Sequence, residues 1–118
     1  MAAKDELGRR GEDEAVRYLQ RRGLVVLSRN WRCRDGELDV VATDADRLVV
    51  CEVKTRSGSR FGEPAEAVTS RKAATIRRVT QAWLAAHHVG WCEIRFDVVA
   101  VRLEPGRPAT LQHYEAAF

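Results

Sequence analysis

Leu48-Val49-Val50-Cys51 is a continuous apolar run that leads directly into Glu52-Val53-Lys54. Such a run suits a strand buried on both faces. A strand of that kind needs a packing layer above and below it, so the chain has to supply a sheet with helices across it. The run ends in a carboxylate and an ammonium two residues apart, and strand residues two apart share a face. Charge on a buried strand is costly unless it is paired or holds a metal.

The remaining segments supply those layers. Leu7, Gly11, Ala15, Tyr18 and Leu19 recur at spacings of three and four, which predicts a helix over Asp5 to Arg22 with Gly23 as its stop. Leu24 to Trp31 reads as a first strand, Gly36 to Thr43 as a second and Leu48 to Lys54 as a third, with Asp44 to Arg47 as a turn. Thr55 to Glu66, with Gly58, Gly62 and Pro64, reads as a loop. Thr69 or Ser70 can cap a second helix that runs to about His88, with Ile76, Val79, Trp83 and Ala86 as its apolar stripe and Gly90 after it. Glu93 to Leu103 is a fourth strand, and Thr110 to Tyr114 adds a short fifth. The order is α-β-β-β-α-β(-β), an α/β domain with a mixed sheet flanked by helices, spanning 1–118 as one unit.

If Thr43 and Leu48 close the hairpin, Asp39 falls directly opposite Glu52 on the same face. Directly opposed residues have Cβ atoms about 4.5–5.5 Å apart. Two carboxylates that close repel, and one takes up a proton unless a cation lies between them. Mg²⁺ or Mn²⁺ suits such oxygen ligands. Lys54 then lies beside the ion, placed to orient a water or steady negative charge on a phosphate. A slip of one residue in register would send Asp39 to the other face. Glu12 sits at the edge of the first helix's small-and-apolar stripe, and Gly8 and Gly11 beside it predict a close approach of that helix to the sheet or to a phosphate backbone.

Each residue also has a plainer reading. Glu-x-Lys on a strand is a common exposed ion pair, and Glu12 is a favourable charge near a helix N-terminus. Glu37 reads as a solvated strand-start residue. Arg71, Lys72, Arg77 and Arg78 read as the water-facing side of the second helix, opposite Ile76 and Trp83. Trp31, Trp83 and Trp91 read as core or half-buried residues. The combination of Glu12, Asp39, Glu52 and Lys54 in this element order is what raises the chemical reading.

With 118 residues, 45% hydrophobic and 31% charged, the composition is that of an ordinary globular domain. No apolar run approaches the ~20 residues that span a bilayer, and Met1 to Glu6 has no apolar signal region, so a cytoplasmic protein is expected. Cys33, Cys51 and Cys92 form no Cys-x-x-Cys pair, and His87, His88 and His113 have no zinc spacing with them. Cys51 is expected in the core. A net charge of +3 is compatible with a nucleic-acid partner.

Gly8-Arg9-Arg10-Gly11-Glu12, Arg29-Asn30-Trp31-Arg32-Cys33, Gly36-Glu37-Leu38-Asp39-Val40-Val41 and Glu52-Val53-Lys54-Thr55-Arg56 together resemble the YraN-like family of small bacterial proteins. Phe61-Gly62-Glu63-Pro64, Ala67-Val68-Thr69 and Arg95 to Val101 extend the resemblance over nearly the whole chain. That family is in turn similar to the PD-(D/E)XK nucleases, the archaeal Holliday-junction resolvases especially. The resemblance implies a restriction-endonuclease-like fold. It implies Asp39 and Glu52 as metal ligands, Lys54 as the catalytic lysine and Glu12 as the helix carboxylate completing the site. Leu38 stands where that signature has proline.

The leading expectation is a Mg- or Mn-dependent nuclease acting on DNA, branched or damaged DNA included. Arg56, Arg60, Arg71 and Lys72 are the expected phosphate contacts. The alternative is a non-catalytic nucleic-acid-binding module with the same fold, and a third is a protein-interaction domain. A two-fold homodimer would match the symmetry of a branched substrate, by analogy alone.

Overall fold

The structure of the protein, a computed structural model, describes residues 3–57 and 68–118. Its elements are α1 (Ala3–Arg21), β1 (Val25–Cys33), β2 (Gly36–Thr43), β3 (Leu48–Ser57), α2 (Ser70–Ala86), β4 (Ile94–Leu103) and β5 (Thr110–Tyr114). The expected order holds, and the short fifth strand is present. The strands form one five-stranded sheet in the order β1-β2-β3-β4-β5. All neighbours are antiparallel except β3 and β4, which α2 joins as a parallel pair.

β3 is the central strand, so the Leu48–Cys51 run is covered from both sides. On one face, α1 packs Ala15, Val16 and Leu19 against Val40, Ala42, Val49, Cys51, Val99 and Val101. On the other, α2 packs Ile76, Val79, Trp83 and Leu84 against Leu38, Val41, Leu48 and Val50. Cys51 is a core residue, 1% exposed. No helix among the described residues is long and apolar enough to cross a membrane.

Local chemistry sets the boundaries. Gly23, just beyond α1, takes φ +90°, the left-handed conformation that ends helices. Thr69 caps α2: its side-chain oxygen accepts the backbone N–H of Lys72 at 3.1 Å. At the far end His88, not Gly90, takes the positive φ of 56°, and α2 stops at Ala86. β3 runs on to Ser57 because Thr55, Arg56 and Ser57 pair with Val101, Arg102 and Leu103 of β4; the loop expected from Thr55 therefore begins later. Its remainder lies outside the described residues, as do Arg60 and Phe61-Gly62-Glu63-Pro64.

Two other expectations are corrected. Trp91 is 94% exposed. It lies in the connection from α2 to β4, outside both layers, where no periodicity assigns it a buried face. Lys72 does not share the water-facing side of α2 with Arg71, Arg77 and Arg78: it is only half-exposed and turns toward Glu52. It stands four residues before Ile76 and seven before Val79, so it extends their inward stripe.

Gly11 marks the close approach expected of α1, and the surface it meets is the sheet. A Cβ built there would lie 2.8 Å from the Cβ of Thr55 and would strike that residue's hydroxyl. A Cβ at Gly8 would meet open space. Gly11→Ala is expected to push α1 off β3 and cost about 2–3 kcal/mol, the range of a core overpacked by a methyl group. A urea midpoint measures this, and Thr55→Ala in the same chain should recover part of the loss.

Candidate functional site

The site is built where β2 and β3 part. Their ladder runs from Thr43↔Leu48 to Val40↔Cys51, the expected register, which carried one step further sets Asp39 opposite Glu52. The turn enforces it: the Asp44 carboxylate accepts the backbone N–H groups of Asp46 and Arg47 at 3.0 Å each. Beyond Cys51 the strands no longer pair, and Asp39 Oδ2 takes up the freed donor, the N–H of Val53, at 2.9 Å.

The other neighbour of β2 is interrupted at the same level. β1 pairs Arg29 with Val40 and Trp31 with Leu38, so Asn30 stands across from Asp39. Asn30 takes φ +50°. Asparagine tolerates that left-handed conformation better than most residues. The kink aims the Asn30 amide at α1, where its Nδ2 donates to Glu12 Oε1 at 2.9 Å. Arg29 Nε donates to the same oxygen at 3.0 Å, and Arg29 Nη2 donates to Asp13 at 2.6 Å.

Glu12, 7% exposed, is therefore a buried carboxylate held by β1. It lines a groove of about 560 Å³ with Gly8, Arg9, Asn30, Arg32 and Glu37. Glu37 itself is exposed and pairs with Arg32 at 2.9 Å.

Glu52, also 7% exposed, gathers two ammonium groups on one oxygen. Lys72 Nζ is 2.6 Å from Glu52 Oε1 and Lys54 Nζ is 3.6 Å from it. Burial, and after it the charge of Glu52, push the Asp39 carboxyl up to about 7, against the Val53 N–H, which favours the ionised form. Glu12 and Glu37 add smaller repulsions to Asp39. Burial and then the adjoining Lys72 ammonium lower the affinity of Lys54 for its proton. Burial is the largest single influence on Lys72 and opposes its charge, but the hydrogen bond and charge of Glu52, with smaller contributions from Lys54 and Asp39, together outweigh it and hold Lys72 above the ordinary lysine range. The Asp39 charge favours the charged form of Lys72 as well.

Of the residues singled out in the sequence, Asp39, Glu52 and Lys54 are thus brought together, with Glu12 close enough to act on Asp39 from α1. Arg56 is exposed near the end of β3 and Arg71 in the first turn of α2. Arg29 and Asn30, which orient Glu12, carry no such role in a strand pattern; only the left-handed turn of Asn30 discloses it.

A separate polar cluster lies on β4 and β5. Asp97, wholly buried, accepts from Arg95 Nε and Nη2 at 2.9 and 2.8 Å, and from the Ala116 N–H at 3.0 Å. His113 Nε2 lies 2.7 Å from Asp97, and the other ring nitrogen 3.0 Å from the Tyr18 hydroxyl of α1. Glu115 pairs with the same Arg95. With four hydrogen bonds from three residues on Asp97, the cluster reads as a clamp on the C-terminal segment.

The model of the family described as "Uncharacterised protein family UPF0102" matches residues 11–101. That span holds Glu12, Asp39, Glu52, Lys54 and Lys72. A UPF0102 protein of Frankia alni is 55% identical over 118 residues, covering 100% of this chain and 98% of its own. Another, from Kineococcus radiotolerans, is 56% identical over 112 residues, 94% of this chain and 92% of its own. A third, from Acidothermus cellulolyticus, is 47% identical over 127 aligned positions, 99% and 96% of the two chains. The chain belongs to the UPF0102 family.

Proposed function

We propose that the protein is a metal-dependent nuclease of the PD-(D/E)XK kind that hydrolyses phosphodiester bonds in DNA, with branched or damaged DNA as its substrate. The observation that carries this reading is the meeting of Asp39 and Glu52 at the point where β2 and β3 part, with the Lys54 ammonium beside them. Asp39 is pushed up to about 7 largely by its burial and by Glu52, and both lysine ammonium groups gather on Glu52 instead of on Asp39. That donor set fits a hard divalent cation, Mg²⁺ or Mn²⁺, held by Asp39 and Glu52.

Such an ion, when bound, would make a water more acidic and polarise the phosphoryl group. The protein's own groups do the rest. The Val53 N–H fixes the Asp39 carboxylate. Lys54, whose side chain is 18% exposed, orients the attacking water and steadies charge on the non-bridging oxygens. The water oxygen forms the new bond to phosphorus as the bond to the leaving sugar oxygen breaks. Glu12, held by Arg29 and Asn30, borders the site from α1. Arg56 and Arg71 serve as phosphate contacts outside the acid pair, and Arg60 is assigned the same role from its place in the sequence.

Cleavage of nicked, single-stranded and four-way-branched DNA in Mg²⁺ or Mn²⁺ tests the reading. Asp39→Ala and Glu52→Ala are expected to lower cleavage at least roughly a hundredfold, while binding in EDTA survives. Neutralising Arg56 or Arg71 should instead weaken binding and reduce the salt slope by about one each. Binding without cutting of any of these substrates would leave a non-catalytic module, and negligible binding at moderate salt would remove nucleic acid altogether.

A further inference from the structure

We propose that Lys72 is a resident counterion of the acidic pair, and that it must leave Glu52 before a divalent cation can take that oxygen. The inference rests on the metal-dependent reading above and adds a gate to it.

Lys72 is the third residue of α2. A cation in the first turn of a helix opposes the helix dipole, and α2 has no acidic residue in that turn to offset it. The compensation comes from outside the helix, at Glu52 on β3, 2.6 Å from the Lys72 ammonium. The backbone of Lys72 is pinned by the Thr69 cap, so only its side chain has to move for the ion pair to open.

The two lysines on Glu52 differ in that freedom. The Lys54 side chain is 18% exposed and stands 3.6 Å from the shared oxygen. The Lys72 side chain is 43% exposed and makes the close contact. Lys72 can therefore withdraw into water at small cost, whereas Lys54 stays in the site. A partly exposed ion pair is weak enough to be exchanged, and a divalent ion brings twice the charge to the same carboxylate. Ion entry and Lys72 release are then two sides of one equilibrium, and the bound lysine lowers the apparent affinity for the ion. Lys72 is by this account a positioning residue that holds Glu52 paired and closed to other cations until an ion arrives.

The test is Mn²⁺ binding to the full-length chain freed of metal, followed by the electron-spin resonance of free Mn²⁺ without substrate. Lys72→Met and Lys72→Gln are expected to bind Mn²⁺ about fivefold more tightly than the unchanged protein, the upper end of what one exposed ion pair contributes. Lys72→Arg, which keeps the charge, should remain near the unchanged protein, and Glu52→Gln should lose the site. General damage to the fold would weaken binding, so tightening separates the gate from a structural role. If Glu52→Gln abolishes binding but both neutral Lys72 variants bind Mn²⁺ equally or more weakly, the metal site stands and the gate is wrong. If neither the unchanged protein nor any Lys72 variant binds Mn²⁺, both readings fall.

Discussion

In EDTA at pH 8, Asp39→Asn is expected to be more stable than the unchanged protein by about 2 kcal/mol. A carboxyl lifted from 3.8 to about 7 carries a penalty of at most about 4 kcal/mol when ionised in the folded chain. About half should be recovered, because an asparagine oxygen accepts the Val53 N–H less strongly than a carboxylate does. The sign follows from the direction of the shift. The folded chain holds the Asp39 proton more tightly than the unfolded chain. Stability is therefore highest below the ordinary carboxylate range and declines as the pH rises from about 4 through about 7. The advantage of asparagine should be nearly gone at pH 4, where the folded carboxyl is protonated and the unfolded one is roughly half so. Urea midpoints at pH 4, 6 and 8 measure it. Adding Mg²⁺ should narrow the gap at pH 8 by stabilising the unchanged protein alone. A variant no more stable at pH 8 than at pH 4, relative to the unchanged chain, would mean that the acids are not opposed.

Asp97→Ala should have the opposite effect and a larger one, a loss of about 3–5 kcal/mol, as expected when one partner of a buried ion pair is removed. That is a large share of the 5–15 kcal/mol typical of a domain. Burial by itself would raise the Asp97 carboxyl. His113, Arg95 and the Ala116 N–H reverse this and hold it down at about 2. The stabilisation is thus present above the ordinary carboxylate range and is lost as the pH falls through about 2. The variant leaves Arg95, a side chain 14% exposed, without its main partner. It also frees the turn at Ala116 and the His113 link to Tyr18 of α1. Urea unfolding at pH 7 checks the magnitude. Hydrogen exchange should show early loss of protection at the Ala116 and Ala117 amides, which bond to Asp97 and to the Phe96 carbonyl. At pH 2 the difference should narrow by up to about 2 kcal/mol, the pH-linked part of the Asp97 stabilisation.

Both predictions depend on partners separated in the chain, and the two clusters were not equally legible. Asp39 and Glu52 stand 13 positions apart, joined by one hairpin with a short turn. The period of two and the turn residues therefore suffice to align them. The Asp97 cluster joins β4 to the C-terminal segment and, through Tyr18, to α1. Asp97 itself sits amid Val98, Val99, Ala100 and Val101, where nothing local says whether a carboxylate will find a guanidinium and an imidazole. Glu12 was legible as a residue at the edge of an apolar stripe, but its partners on β1 were not.

The sequence by itself determined the element order, the two-sided burial of β3, a cap for α2 at Thr69 or Ser70 and the hairpin register that opposes two acids. These follow from residue spacing, turn chemistry and hydrophobic period, all of which act over a few neighbours. Tertiary structure alone decided that Lys72 leaves the solvent for Glu52, that Asn30 takes a left-handed kink to hold Glu12, and that Trp91 stays in water. Those outcomes depend on which surface lies across from each residue once both helices have settled on the sheet. A side chain's own propensity does not encode the charge, or the absence of cover, that it will meet there.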